Sequence, residues 1–236
     1  MTILMNPSSA NWKAYAGGSN TCFKAITKGG PTPTQITDTS GRGNHGVFTT
    51  APDVALVGDL WTYQFVSGSS EYVTVPDITE LLGATAATWC AWVRKDGANI
   101  YQECVASDYS TGANEKKWRF GNGYTADWQA SVGNGTTDAN IAIASSFAAG
   151  WHFVWVRFTS SSATGLETGC DNSVATPVTT AAIAALGSTG HSHTYIGRRE
   201  AVYSSITLGA LTIWPSAISD AEIQKWRKST QAMLGV

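Results

Sequence analysis

Aromatic side chains and a side-chain amide lie close together in one short segment of this 236-residue chain. They surround a glycine-rich turn and comprise Trp118, Asn122, Tyr124 and Trp128. Aromatic faces suit the C–H face of a sugar ring, and an amide hydrogen-bonds to its hydroxyl groups. The segment therefore predicts a carbohydrate-binding site. The alternative, which we weigh equally, is that Trp118 and Trp128 fill the interior from adjacent strands and only Tyr124 is exposed.

The turn Asp38–Gly46 is a second candidate site, in this case for Ca²⁺. The Asp38 carboxylate and the Asn44 side-chain oxygen are hard donors that Ca²⁺ prefers, and backbone carbonyls would complete the site. Ca²⁺ takes roughly six or more oxygen ligands, however, and the turn supplies few side chains. We therefore favour a structural turn, in which Asp38 and Ser40 cap the chain and glycines supply positive φ angles. No other cofactor is predicted.

The residues that could act in catalysis follow no catalytic motif. A glycosidase needs two carboxylates that flank a cleft, and no strand carries the acidic pattern of the sandwich glycosidases. The histidines lie in no nucleophile motif. His191 and His193, in a Gly/Ser-rich loop, are more typical of exposed surface than of a metal pair. We predict a protein that is not an enzyme, with a glycan hydrolase as the weakest alternative.

Composition narrows the class of partner. Charged residues make up 14% of the chain and the net charge is −2. A phosphate-neutralising surface is not expected at this charge, so nucleic acid is excluded as a partner. No apolar run approaches the ~20 residues of a membrane span, so no membrane insertion is expected. The N-terminus has no secretory signal pattern, which predicts synthesis without export.

The four cysteines form neither a zinc motif nor a redox motif. They are Cys22, Cys90, Cys104 and Cys170. In a protein made without export, thiols remain reduced, so we expect free buried cysteines.

Short apolar segments separated by Gly, Asn, Asp and Ser turns predict many strands. Since no helical pattern lies between them, a parallel βαβ architecture is disfavoured. One helix is predicted near the C-terminus, where Ser219 and Glu222 fit a capping box and Ile223 and Trp226 follow on one face. The predicted strands are Tyr63–Val66, Tyr72–Val75, Thr88–Arg94, Asn99–Ala106, Lys117–Phe120, Asp127–Val132, Asn140–Ile143, Trp151–Thr159, Thr194–Gly197 and Ile206–Trp214.

Four separated stretches carry motifs in a fixed order. They are Asp38–Gly46, then Tyr63–Pro76 with Thr88–Arg94, then Gly150–Val156, and finally Thr194–Arg198 with Leu208–Ile223. In this order they resemble the laminin-G-like, concanavalin A-like jelly-roll family, in its pentraxin-like branch. The family's hairpin before the fourth stretch is matched poorly, at Leu166–Ser173.

The resemblance implies an all-β fold, a two-sheet antiparallel jelly-roll sandwich with one short C-terminal helix. It covers most of a domain that we place at residues 31–236, after an N-terminal arm at residues 1–30. It also implies a binding or structural module and not an enzyme.

A jelly roll made without an export signal favours a phage virion surface protein, either a capsid decoration subunit or a tail-associated adhesin that binds host glycans. Its expected partners are capsid or tail subunits, cell-surface glycans and, through the arm, further copies of itself in a homo-oligomer. The alternative is a cellular, lectin-like carbohydrate-binding module located outside the cell or at its surface.

Overall fold

The computed structural model describes residues 20–27, 34–95, 104–109, 116–122, 127–144, 147–188, 193–199 and 202–236. Within these residues the chain forms two large antiparallel sheets, one small hairpin sheet and one α-helix. This confirms the predicted two-sheet sandwich with a short C-terminal helix. Each predicted strand overlaps an observed one, although residues 99–103 lie outside the described part.

Sheet I contains the longest strands of the sandwich. In order across the sheet its strands are β14 (Ser173–Val174), β13 (Leu166–Cys170), β12 (Gly150–Thr159), β7 (Ala86–Lys95), β18 (Ile206–Trp214), β5 (Leu60–Gln64) and β4 (Asp53–Val57), and β1 (Phe23–Ala25) also pairs with β18. β12 pairs with β7 along its whole length. A strand that is apolar on both faces has to be buried on both sides of its sheet. Residues of both faces of β12 are buried, as predicted.

Sheet II lies opposite. In order its strands are β11 (Asp138–Ile143), β10 (Trp128–Gly133), β9 (Lys116–Asn122), β8 (Cys104–Tyr109), β15 (His193–Ile196), β6 (Val73–Pro76), β3 (Gly46–Phe48) and β2 (Gln35–Ile36). A small hairpin of β16 (Arg198–Arg199) and β17 (Val202–Tyr203) follows β15. Two short 3₁₀ helices span Ser67–Ser69 and Thr79–Leu81.

The main core lies between the sheets and is rich in aromatic rings. The rings of Trp89 in sheet I and Trp118 in sheet II are 5.2 Å apart at their centres. Trp128 crosses the same gap, because its indole Nε1 donates to Thr168 Oγ1 of β13 at 2.8 Å. Most of the tryptophan surface is therefore used in packing, as expected for side chains that bury a large apolar area.

The helix α1 (Asp220–Leu234) covers the outer face of sheet I. The Ser219 side chain accepts from the Glu222 backbone N–H and the Glu222 side chain accepts from Ser219 N–H, which confirms the capping box. Ile223 and Trp226 are buried in a second apolar cluster between helix and sheet. No helix of the described residues is long and apolar enough to cross a membrane.

Part of the predicted N-terminal arm lies in the sandwich. Phe23–Ala25 form β1 in sheet I, paired with Leu211–Ile213 of β18. Cys22 and Ile26 are fully buried beside it. Residues 20–27 therefore belong to the sandwich. Residues 1–19 and 28–30 of the predicted arm lie outside the described part.

Leu166–Ser173, which matched the family hairpin poorly, does form a hairpin. β13 turns at Asp171 and Asn172 into β14, with Cys170 opposite Ser173. Asp171 adopts a left-handed φ of 54°, which places its side chain back toward β12.

Candidate functional site

Two of the four predicted sugar-binding residues are core residues. Trp118 is 2% exposed and Trp128 is fully buried. Both alternate with outward residues on neighbouring strands β9 and β10, which places the two rings on the inner face of sheet II. The packing alternative is correct for them, and neither ring has a free face for a sugar. The side chain of Asn122 and the whole of Tyr124 lie outside the described residues.

The Asp38 turn is a hydrogen-bonded turn, the alternative that we favoured over a Ca²⁺ site. Asp38 Oδ1 accepts from the backbone N–H groups of Lys24 (3.0 Å) and Ser40 (2.9 Å). Its Oδ2 accepts from the Ser40 hydroxyl (2.8 Å) and from Asn44 N–H (3.0 Å). The Asn44 side chain donates Nδ2–H to the Cys22 carbonyl at 2.8 Å. A carboxylate that receives four N–H and O–H donors has no lone pair directed at a cation.

The glycines of this turn are used in two ways. Gly41 and Gly43 adopt the predicted positive φ of 90° and 80° with open space around them. Gly46 does not: it lies in β3, where a Cβ would come within 2.4 Å of Val73 Cγ1. Its role is close packing between strands.

A surface cluster that the sequence did not predict lies on sheet II. The Arg198 guanidinium lies 4.5 Å from the ring centre of Tyr72, 4.9 Å from that of Tyr195 and 5.5 Å from that of Tyr203. The Tyr72 ring is 5.9 Å from that of Tyr195 and 5.8 Å from that of Tyr203. We call these four residues the tyrosine–arginine cluster. All four are half-buried, so each has part of its surface in solvent.

Strand alternation places Tyr195 on the outer face of sheet II. Its neighbours Thr194 and Ile196 are buried on the inner face, so Tyr195 and the exposed His193 point the other way. The His193 ring stacks against Tyr195 at 6.4 Å with an interplanar angle of 26°. Tyr72 directly precedes β6, the neighbouring strand of β15.

The hairpin β16–β17 brings the other two members of the cluster. Arg198 and Tyr203 are a cross-strand pair in it. The hairpin is held to β8, because Ser107 Oγ donates to the Arg198 carbonyl at 2.9 Å and Ser204 Oγ donates to the Cys104 carbonyl at 2.9 Å. Both acceptors are backbone carbonyls, so these hydrogen bonds fix the backbone of the hairpin at Arg198 independently of the Arg198 side-chain conformation.

The chemistry of the tyrosine–arginine cluster suits an acidic ligand with an apolar face. A guanidinium presents N–H groups in a planar fork that matches a carboxylate, and aromatic neighbours hold that plane by cation–π contact. Tyrosine supplies both a ring face and a hydroxyl. Sequence alone had one usable signal, the tyrosine at an outward position of the strand Thr194–Gly197, but the partners of that tyrosine come from other strands.

A second unpredicted group contains the donor types that bind metal ions. Within the described residues, one such set is His152 Nδ1, the Cys170 thiol and the Asp171 carboxylate, whose donor atoms lie within 4.8 Å of one another. Burial lowers the pKa of His152, but hydrogen bonds to Asp171 and to the Ala148 carbonyl outweigh it and the net pKa is raised. The sequence shows no Cys/His partner for His152, because strand register, and not spacing, brings His152 and Cys170 together.

Comparisons with known proteins identify a fold and no family. No family model matches the chain, and no curated protein matches it. The binding domain of botulinum neurotoxin DC in complex with SialylT is similar over 90% of this chain and 52% of that one, with a TM-score of 0.61 and 13% identity. The binding domain of Paraclostridial Mosquitocidal Protein 1 is similar over 89% and 52%, with a TM-score of 0.65 and 13% identity.

An enzyme structure shares the fold as well. Trypanosoma rangeli sialidase in complex with 2,3-difluorosialic acid is similar over 93% of this chain and 34% of that one, with a TM-score of 0.62 and 10% identity. The chain thus spans about half of the toxin binding-domain chains and about a third of the sialidase chain. At such identities the likeness is one of fold.

Proposed function

We propose that this protein is a non-enzymatic carbohydrate-binding module that recognises an acidic glycan at the tyrosine–arginine cluster. The observation that carries the proposal is the position of Arg198, whose guanidinium lies between 4.5 and 5.5 Å from three tyrosine ring centres on the surface of sheet II. A sugar carboxylate would pair with the guanidinium edge, and the ring of the sugar would pack on a tyrosine face.

Partial burial favours ligand binding at this cluster over a purely structural role. Side chains that are half-buried lose less conformational entropy on binding than fully mobile ones, because their rotamers are already restricted. The cross-strand pairing of Arg198 with Tyr203 adds to this restriction. His193, exposed beside Tyr195, extends the surface with a further hydrogen-bonding group.

The similar structures support an acidic sugar as the class of ligand. One toxin binding domain was determined in complex with SialylT, and the sialidase with 2,3-difluorosialic acid. A related toxin domain was determined in complex with rat synaptotagmin II, so a protein partner is the second class that this fold supports. We favour the glycan because the cluster combines one guanidinium with several tyrosine faces.

The acidic neighbour of the cluster supports binding without hydrolysis. Glu71, next to Tyr72, is 8% exposed, and its Oε2 accepts from the Val66 backbone N–H at 2.8 Å. A carboxylate held in this way is a structural group. Most glycosidase families, although not the sialidases, use a pair of carboxylates at a defined separation.

We further propose that the domain belongs to the laminin-G-like, concanavalin A-like jelly rolls and acts at a virion surface, as a tail-associated adhesin or a capsid decoration subunit, in a homo-oligomer. The order of the sequence motifs supports the family. A cellular lectin-like module would use the same cluster. Immunogold labelling of virions separates the two settings, and light scattering of the purified protein measures the oligomer.

The binding proposal is tested by calorimetry with two matched ligands. One is an oligosaccharide that ends in sialic acid, and the other is the same oligosaccharide after removal of that sugar. We expect binding of the acidic ligand only, weakened roughly three- to tenfold by Tyr195→Ala. Leu56→Ala, at an exposed apolar residue of sheet I, should leave the affinity unchanged. Equal binding of the two ligands, or an unchanged affinity of Tyr195→Ala, would reject the site.

A further inference from the structure

We propose that His152, Cys170 and Asp171 form a binding site for a zinc-type transition-metal ion in sheet I, at the end of β13. The proposal is independent of glycan binding, because these residues lie on β12, on β13 and in the turn that follows β13, whereas the tyrosine–arginine cluster lies on sheet II. His152 Nδ1 is 2.7 Å from Asp171 Oδ2 and 3.9 Å from Cys170 Sγ. All three donor atoms lie within 4.8 Å of one another.

The register of two antiparallel strands creates this convergence. Val154 of β12 pairs with Cys170 of β13. His152 lies two residues before Val154 on β12 and so points to the same face. Asp171 follows Cys170 at the turn, where its left-handed φ of 54° directs the carboxylate back to the β12 strand.

The separations of His152 Nδ1 from Cys170 Sγ and from Asp171 Oδ2 are near those of a tetrahedral site. Zinc lies roughly 2.0–2.3 Å from nitrogen, oxygen and sulfur ligands, which places neighbouring ligand atoms roughly 3.2–3.6 Å apart. To reach this geometry, the observed Nδ1–Sγ distance of 3.9 Å has to close slightly and the Nδ1–Oδ2 distance of 2.7 Å has to open. Both changes are within the reach of small side-chain rotations.

The atoms that would not bind the ion are held by the backbone. His152 Nε2 donates to the Ala148 carbonyl at 2.9 Å, and a carbonyl can only accept, so Nε2 carries a proton and Nδ1 is the ligand atom. Asp171 Oδ1 accepts from Phe153 N–H at 2.9 Å, which leaves Oδ2 for the ion. Hydrogen bonds of this type orient metal ligands and fix the tautomer of a ligating histidine.

The donor set and its exposure identify the class of ion. A thiolate and an imidazole select zinc-type ions over Ca²⁺ and Mg²⁺. The Cys170 thiol is buried, whereas the Asp171 side chain is 37% exposed, so an ion would enter from the Asp171 side and keep a water ligand there. The proton between Nδ1 and Oδ2 and the proton of the thiol would both leave to solvent, and the ion would take their place.

The geometry does not support a nucleophilic cysteine. In a catalytic triad the nucleophile and the carboxylate contact opposite nitrogens of the imidazole. Here Cys170 and Asp171 both approach Nδ1, and Nε2 is used by a backbone carbonyl. The shared nitrogen is suited to one cation.

Cobalt titration of the full chain, after treatment with a chelator, tests the proposal. Co²⁺ substitutes for zinc and produces a thiolate-to-cobalt absorption band when a cysteine ligates it. We expect a saturable band at equimolar Co²⁺ that Zn²⁺ abolishes, and no band in Cys170→Ser or His152→Ala. Cys104→Ser is the matched control, because Cys104 is also a buried free thiol and lies in β8 of sheet II.

Asp171→Asn separates loss of metal binding from loss of folding, because asparagine has the same shape and keeps the oxygen that accepts from the Phe153 N–H. The Asp171→Asn variant should fold and should bind Co²⁺ at least about tenfold more weakly than the wild type. In parallel, Zn²⁺ should raise the melting temperature of the wild type but not of Cys170→Ser. A wild-type protein without the band, or a band that persists in folded Cys170→Ser, would overturn the site.

Discussion

Arg198 lies in the hairpin β16–β17 and Tyr72 directly precedes β6 of sheet II, yet the guanidinium carbon lies 4.5 Å from the tyrosine ring centre. This is the shortest of three cation–π contacts that Arg198 makes to tyrosines. Such contacts orient the plane of the guanidinium. They make Arg198 the residue on which acidic ligand recognition would depend.

Arg198→Lys separates charge from geometry at this position. Lysine keeps the positive charge but has no planar fork, so it cannot pair with a carboxylate through two parallel hydrogen bonds. We expect the affinity for the sialic-acid-terminated ligand to fall roughly tenfold or more, measured by calorimetry. Arg42→Lys, at an exposed arginine of the Asp38–Gly46 turn, should have no effect. If both variants bind like the wild type, the guanidinium is not the recognition element.

Thr212→Val tests the polar contact beneath the helix. Trp226 Nε1 donates to Thr212 Oγ1 at 3.0 Å, and both residues are buried between α1 and β18. Valine has nearly the same shape but cannot accept, so the indole N–H loses its partner at a cost of about 1–3 kcal/mol. Urea unfolding measures this loss. Thr74→Val, at a half-exposed position of β6, is the control and should change stability by no more than ~0.5 kcal/mol.

The strands and the helix were predictable because their signals are local. The capping box needs only Ser219 and Glu222, three positions apart, and the doubly apolar pattern of Trp151–Thr159 is complete within one strand. Alternation shows that Trp118 and Phe120 share a face. Alternation does not show which face is buried. For Trp118, the sequence therefore supported a core position and a sugar-binding position equally.

The two candidate sites could not be predicted because they depend on register between distant strands. Tyr195 meets Tyr72 only because β15 pairs with β6. Cys170 meets His152 only because β13 pairs with β12 at one register, and a slip by one residue would turn the thiol to the opposite face. Neither spacing nor composition carries that information.

The capping box predicts a pH-dependent part of the stability. Hydrogen bonds from the Ser219 backbone N–H and hydroxyl lower the pKa of Glu222. A group with a lowered pKa in the folded state contributes stability that is present above its unfolded pKa and is lost as pH falls through the folded value. Urea midpoints at about pH 7 and about pH 3 should therefore differ less in Glu222→Gln than in the wild type. An equal difference in both proteins would remove Glu222 as the source.

Ser219→Ala acts on the same box from the other side. It removes the acceptor of the Glu222 backbone N–H, and loss of such a cap costs about 1 kcal/mol at neutral pH. The matched control is Ser216→Ala, because Ser216 precedes the helix and takes no part in the capping box. Urea unfolding of the two variants measures the difference, and an equal loss in both would show that the box adds nothing.

The free cysteines should resist alkylation in the native protein. All four are buried, and burial raises the pKa of Cys22 and Cys90 well above the usual thiol range and that of Cys104 to about 11. Only the thiolate reacts, so both access and charge state protect these residues at neutral pH. Iodoacetamide followed by mass spectrometry should label none of these three in buffer and all of them in denaturant. Rapid labelling of native Cys104 would show that sheet II opens at β8, because the Cys104 thiol is buried there and donates to the Phe120 carbonyl of β9.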